Sequence, residues 1–224
     1  MTTKVFSIDE ALRFGWNTTK SNLGFFVGLL VISCLLLIIP LTIAMGALEV
    51  NTFLGIILHI ADFVLTILIA MGLVKIVLRF CDQEKGKFSD LFSQYRLFFK
   101  YLVTSILYFL IVFGGMLLFI IPGIIWSIQF WFFDYFVIDK GLRPMEALKK
   151  SSAITQGVKW KLFVFSMATI LINILGALLL LVGLFVTIPT TMLAWAFIYR
   201  KLLAQTEVAT ASQTTSQVAP ETTA

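Results

Sequence analysis

The chain predicts an all-α polytopic membrane protein: six transmembrane helices paired as three helical hairpins, each preceded by a short interfacial amphipathic helix. Three observations point there. The first is composition: 59% of the residues are hydrophobic, only 13% are charged, and the mean hydropathy is +0.99. Soluble domains average about 45–50% apolar and about 25% charged, so this inventory cannot cover a water-exposed surface. The second is the length of the apolar runs. The third is the placement of the 17 lysines and arginines. They fall in the segments 4–20, 75–100, 140–161 and 200–201, while the intervening turns carry no positive charge. Under the positive-inside rule all four basic segments, and with them both chain ends, are expected in the cytoplasm.

The elements follow in order. The first apolar run begins only at Leu23, runs on to residue 45 and lacks a small-x-small cleavage site, so it reads as a membrane helix and not as a cleavable signal. The run 53–74 forms its partner despite His59 and Asp62, with the turn around Glu49-Val50-Asn51. The stretches 101–138 and 162–199 are each 38 residues long. As single helices they would reach about 57 Å, against about 30 Å of hydrocarbon, so each must fold back. Pro122-Gly123 and Gly183 each come 22 residues after the preceding lysine, Lys100 or Lys161. Pro and Gly interrupt helices by removing a donor or loosening the backbone, so these positions mark the two turns.

An internal repeat accompanies the hairpins. Ser7-Ile8-Asp9-Glu10-Ala11-Leu12-Arg13 resembles Arg143-Pro144-Met145-Glu146-Ala147-Leu148-Lys149, with Ser89-Asp90-Leu91-Phe92 a weaker third copy. Each is expected to open a short amphipathic helix. Ser7 with Glu10 forms a capping box, Pro144 suits the first helical position, and Glu146 or Asp90 complements the positive helix end. These helices would lie flat at the cytoplasmic surface, with Trp16, Trp160, Tyr101, Tyr135 and Tyr199 in the interfacial belt. The chain therefore divides into one membrane domain, 1–204, with repeat units at about 7–79, 88–139 and 143–201. A Thr/Ser/Ala/Gln-rich tail, 205–224, is expected to be disordered. Cys34 and Cys81 are too few for a disulfide scaffold and are expected as free thiols.

The segment from Phe132-Phe133-Asp134-Tyr135 through Asp139, Glu146-Ala147-Leu148-Lys149-Lys150-Ser151 and Gly157-Val158-Lys159-Trp160 carries a resemblance, together with Pro122-Gly123 and Gly183 to Pro189. Over roughly residues 7–202 it resembles a group of prokaryotic six-helix membrane proteins of largely unknown function. That group includes the membrane domain fused to some bacterial glycerophosphodiester phosphodiesterases. The resemblance implies a six-helix fold and brings no catalytic residues, because the phosphodiesterase activity belongs to a separate soluble barrel.

Ionisable and amide side chains inside hydrocarbon are costly and are default candidates for a site. His59 and Asp62, three apart on one helix face, are joined at mid-depth by Asn173 and Gln129, with Thr190 nearby. Such a group could relay protons or hold a cation or small solute. Equally, it could only hydrogen-bond across helices and set their register. Asp134, five residues from Asp139, is expected to reach the interface or to pair with Lys100 or Arg200. Lys149, Lys150, Lys159 and Lys161 form a basic surface suited to anionic lipid headgroups, or to protein partners. The pI of 9.3 is accounted for by membrane orientation, with no nucleic-acid partner expected.

The sequence holds no phosphate-binding glycine loop, no nucleophile elbow and no His/Cys cluster at metal spacing. No catalytic residue, metal or cofactor is expected. The reading is a prokaryotic inner-membrane protein that serves as a non-catalytic module organising lipids or partner proteins. The alternative is a small transporter or channel using the midplane polar group, since internal repeats around such a site are a common transporter plan.

Overall fold

A computed structural model describes residues 4–179 and 182–218, with side chains to residue 209. Among the described residues every regular element is helical. In chain order these are α1 (Ile8–Ser21), α2 (Leu23–Val50), α3 (Thr52–Cys81), two 3-10 turns (Phe88–Phe92 and Tyr95–Leu97), α4 (Phe98–Leu118), α5 (Ile120–Gln129), α6 (Phe133–Lys140), α7 (Pro144–Thr155), α8 (Lys159–Leu178) and α9 (Leu184–Val218). Five segments are long and apolar enough to cross a membrane: Leu23–Val50, Thr52–Cys81, Phe88–Leu118, Ile120–Lys140 and Lys159–Leu178. The chain is a multi-pass membrane protein.

α9 is not among those five, and its position explains why. Its Leu193, Ala194, Trp195, Ala196, Ile198, Tyr199 and Leu202 are all buried, because α1, α3 and α8 pack around it. A helix wrapped by protein can carry Thr187, Thr190, Thr191 and Pro189 where a lipid-facing one would carry aliphatic residues. α9 is the central post of the molecule.

α2 packs against α3 across Asn51, whose side-chain oxygen accepts the N–H groups of Phe53 and Leu54 at 3.0 and 3.1 Å. α4 packs against α5, and α8 against α9. Near the turn that connects each pair the backbones approach through glycine. A Cβ on Gly55 would stand 2.7 Å from Leu48 Cα, one on Gly123 would stand 2.9 Å from Met116 N, and one on Gly183 would stand 2.8 Å from Gly176 Cα. Real side chains cannot enter at such distances, so only glycine permits these crossings.

The opposite ends are tied together. Arg200 Nη1 and Nη2 donate to the two carboxylate oxygens of Asp139 at 2.7 and 2.9 Å, and Nη2 also donates to Asp82 at 2.5 Å. One guanidinium thus joins the ends of α3 and α6 to the middle of α9. Arg79 holds the buried Asp90 through Nη1, at 3.0 Å from each oxygen. Lys100 Nζ donates to the Gly141 carbonyl at 2.8 Å, and Lys201 pairs with Glu10. Lys4 Nζ donates to the Ala153 and Ile154 carbonyls at 2.5 and 3.3 Å, and burial there lowers its pKa. Beneath these ties lies an aromatic core in which Tyr199 stacks on Tyr135 at 5.1 Å, with Phe132, Phe136, Phe165 and Trp195 around them.

Several expectations are corrected. The α4–α5 turn falls at the extended Phe119, not at Pro122-Gly123. Pro122 lies in the first turn of α5, where a missing N–H costs nothing because no carbonyl precedes it in the helix. The limb beyond it is not continuous: it breaks between Gln129 and Phe133. The third amphipathic copy, at Ser89–Phe92, is a 3-10 turn, since Asp90 accepts the Lys87 N–H at 2.9 Å and salt-bridges Arg79.

α1 does not stand apart as a free surface helix. Its small-residue face of Ala11, Gly15 and Thr19 is buried against α9, Phe14 stacks on Phe197 at 4.9 Å, and Thr190 donates to Thr19 at 3.2 Å. Ser7 caps it by accepting the Glu10 N–H at 3.4 Å, while the Glu10 carboxylate turns to Lys201 and leaves the capping box half made. Tyr135 and Tyr199 are core residues, whereas Trp16 and Trp160 are exposed. The tail expected to be disordered from Gln205 instead continues α9 as helix to Val218; residues 219–224 lie outside the described residues. Extending an existing helix adds one bond per residue with no nucleation cost, and Gln205 anchors the start by exchanging two hydrogen bonds with the Val5 backbone at 2.9 and 2.8 Å.

Candidate functional site

The four midplane candidates are distributed over separate parts of the molecule. His59 and Asp62 share the α3 face that begins with Gly55, the residue packed against α2. His59 Nδ1 is 2.9 Å from the carbonyl of Gly55, one turn back on its own helix, so the ring is not bonded to Asp62. Asp62 is half-buried, and its Oδ1 is buried with no hydrogen-bond partner.

Asn173 sits on α8 facing α9, where its Nδ2 donates to Thr191 Oγ1 at 3.3 Å and its Oδ1 is buried without a donor. The adjacent Thr187 hydroxyl is also buried and unpartnered. Thr190, one position from Thr191, turns instead to α1 through Thr19 and back-bonds to Val186 at 2.7 Å. Among the described residues none of His59, Asp62, Asn173 and Gln129 is hydrogen-bonded to another.

Gln129 lies at the end of α5, where the helix breaks, and every polar atom of its side chain is used. Its Nε2 donates to Ser152 Oγ at 2.7 Å, and its Oε1 accepts from Lys159 Nζ at 2.5 Å. Its main-chain carbonyl accepts the hydroxyls of Ser151 and Thr155, both at 3.1 Å. Ser151 Oγ in turn accepts the Phe132 N–H at 3.1 Å. The break between α5 and α6 removes helix hydrogen bonds that would be costly to leave open in an apolar interior. The hydroxyls of α7 replace them. Gln129 is therefore a joint between α5, α7 and α8, and the sequence signal for it was the Ser151-Ser152 pair followed by Thr155 on an otherwise interfacial helix.

Asp134 is half-buried in α6 and accepts the Tyr135 N–H at 2.8 Å. It pairs with neither of its expected partners, since Lys100 turns to Gly141 and Arg200 to Asp139 and Asp82. Asp139, not Asp134, is the acid that matters to the tied end, as its place at the boundary of the apolar run could have signalled.

Of the basic surface, Lys149, Lys150 and Lys161 are exposed and unpaired among the described residues, while Lys159 spends its ammonium on Gln129. The other face of α7 buries Ala147, Leu148, Ser151, Ile154 and Thr155, which leaves Lys149 and Lys150 pointing outward. Cys34 is exposed and Cys81 half-buried, both as free thiols. No group of three or more His, Cys, Asp or Glu stands close enough to hold a metal ion among the described residues. No family model, no curated protein and no solved structure matches the chain.

Proposed function

We propose that the chain is a non-catalytic inner-membrane module of a prokaryotic cell that organises lipids or partner proteins. The membrane part then comprises six spans: α2, α3, α4, α5 with α6, α8 and the first half of α9. They form three repeated hairpins, in units of about 7–79, 88–139 and 143–201, with both chain ends and all the basic segments cytoplasmic. The resemblance to prokaryotic six-helix membrane proteins is part of this reading. The observation that carries it is the contrast between the dispersed midplane candidates and the free lysines. Lys149 and Lys150 are exposed on α7 and Lys161 at the start of α8, and each cation near an anionic leaflet is worth about 1 kcal/mol.

The test is lipid co-purified with the chain from membranes containing phosphatidylglycerol. Reversing Lys149 and Lys150 to Glu is expected to lower the phosphatidylglycerol recovered with the protein, while the yield of folded protein stays the same. Unchanged recovery would remove the basic surface from the proposal.

A second reading, a small transporter or channel, draws on the unpartnered Oδ1 atoms of Asp62 and Asn173, because buried polar atoms without partners are uncommon and often belong to binding sites. Its test is proton or cation flux into vesicles holding the chain, against Asp62→Asn and empty vesicles. A gradient-driven flux lost in Asp62→Asn would put this reading first.

A further inference from the structure

Between the end of α1 and the connection that follows α3 lies an open cleft of about 320 Å³. Asn17, Ser21 and Asn22 line one wall, Gln83 and Lys85 the other, and Phe80 also faces the cleft. Phe80 belongs to a cluster with Phe25 and Phe26 of α2, at 5.5 and 4.9 Å between ring centroids. Polar lining and aromatic base therefore meet at Leu23, where the first membrane-spanning segment begins. That is the level at which a bilayer changes from headgroup to acyl chain.

The chemistry of the lining is uncommitted. The side chains of Asn17, Ser21, Gln83 and Lys85 make no hydrogen bond or ion pair among the described residues, and only Asn22 spends a donor, to the Thr18 carbonyl at 3.0 Å. Glu84, the one acid in the lining, is already engaged by Arg79 Nε at 3.0 Å. What remains is one free ammonium, two free carboxamides and the hydroxyls of Thr18 and Ser21, with no free acid to repel an anion. Gln83 also holds φ at +61°, the one non-glycine residue in the left-handed region among those described. A residue kept there at a conformational cost stands where glycine would normally end a helix.

The geometry points to a site for the phosphoryl headgroup of an anionic lipid, with Lys85 on the phosphate oxygens and the amides of Asn17 and Gln83 on the remaining oxygens. Charge-assisted hydrogen bonds to an oxyanion are the strongest that these groups can make. The Phe25–Phe80 cluster would lie against the glycerol and the first methylenes. The assignment rests on the lipid-organising reading above but uses a different surface from Lys149 and Lys150. A soluble phosphate ester offers the same oxyanion without the acyl chains, and the experiment separates the two.

The full chain is reconstituted in phosphatidylcholine discs with or without phosphatidylglycerol, washed in mild detergent, and its retained lipid counted by native mass spectrometry. The expected result is one tightly held phosphatidylglycerol per chain. Retention should fall about tenfold, the cost of one lost charge-assisted contact, in Lys85→Glu. It should also fall in Gln83→Gly, a variant that relieves the backbone and so keeps or raises the Tm. The double reversal of Lys149 and Lys150 should strip looser lipid and leave this one in place. Wild-type retention in both Lys85→Glu and Gln83→Gly would overturn the cleft assignment while the Lys149/Lys150 result still supports the broader reading. No retained phosphatidylglycerol in the wild type, with no effect of reversing Lys149 and Lys150, would overturn both. Displacement by glycerol 3-phosphate at the same concentration as the lipid would assign the cleft to soluble phosphate esters and overturn the lipid.

Discussion

The two ends of the helix pairs are built on opposite principles. At one end, Arg200, Asp139, Asp82, Arg79 and Asp90 lock α3, α6, α9 and the first 3-10 turn over a core of Phe132, Phe136, Phe165, Trp195 and Tyr199. At the other, the tips show some of the most exposed apolar residues in the protein: Val50 is 88% exposed, Phe119 74% and Leu178 74%. There the helices approach in pairs, through glycine, and carry no ion pair among the described residues. The tied end makes its own geometry from directional bonds. The tips leave theirs to the hydrocarbon around them, where no hydrophobic force drives helix against helix and close packing is what remains.

The contrast sets an order of expected effects. Arg200→Ala should be the most damaging, at about 3–5 kcal/mol, because it leaves the largely buried Asp139 with only the Tyr199 hydroxyl at 3.1 Å and the Lys140 ammonium at 3.9 Å, and loses the bridge to Asp82. Thermal unfolding in detergent measures it, and a loss under about 1 kcal/mol would mean that the network is no stronger than an exposed pair. At the tips the adjacent glycines Gly114 and Gly115 make a sharper comparison. A Cβ on Gly115 would meet Trp126 Cε3 at 2.6 Å and Gly123 Cα at 3.1 Å, whereas one on Gly114 meets nothing within 4 Å. Gly115→Ala should cost about 1–3 kcal/mol through overpacking, while Gly114→Ala should be neutral or stabilise by about 0.5–1 kcal/mol through helix propensity. Equal effects at the two positions would show that α4 and α5 do not approach here.

Asp62 breaks the pattern, being a carboxylate in the membrane half with a buried oxygen that has no donor. If it serves nothing, Asp62→Leu should raise the Tm, since replacing an unpaired buried polar group by a hydrophobe of like volume is neutral or stabilising. A lowered Tm would reveal a partner formed only in the bilayer. The smallest effect belongs to Arg13→Ala. Its i,i+4 pair with Asp9 at 2.8 Å is 76% and 70% exposed, and such pairs contribute about 0.3–0.5 kcal/mol. Urea titration against the wild type should barely resolve it.

How far each feature could be read in advance follows from the range of the interaction behind it. Helicity, the apolar segments, the Asn51 turn and the Pro144 start all arise from composition and from neighbours within a few residues. They were legible for that reason. The Pro122-Gly123 turn missed by only three residues, since proline is accepted in a first turn as readily as it ends a helix. The candidate site fared worse. His59, Asp62, Asn173 and Gln129 share a depth along their helices, but depth is one coordinate. The helix rotations that separate them come from packing partners distant in sequence, such as the Asn173–Thr191 and Gln129–Lys159 bonds.

By itself, then, the sequence determined the solvent this protein needs, its helical class and the segregation of basic residues, because each depends on the chemistry of contiguous residues. Tertiary structure alone decided three things: that α9 is the buried post, that Ser151 and Thr155 take over the hydrogen bonds lost between α5 and α6, and that Arg200 is shared between Asp139 and Asp82. Those depend on residues far apart in the chain, such as Thr19 and Thr190 at 171 positions and Asp82 and Arg200 at 118, and on which face of each helix the closest fit turns inward. In hydrocarbon every exposed apolar face is equally acceptable to the solvent, so only glycine-to-backbone contact and buried hydrogen bonds can select one arrangement.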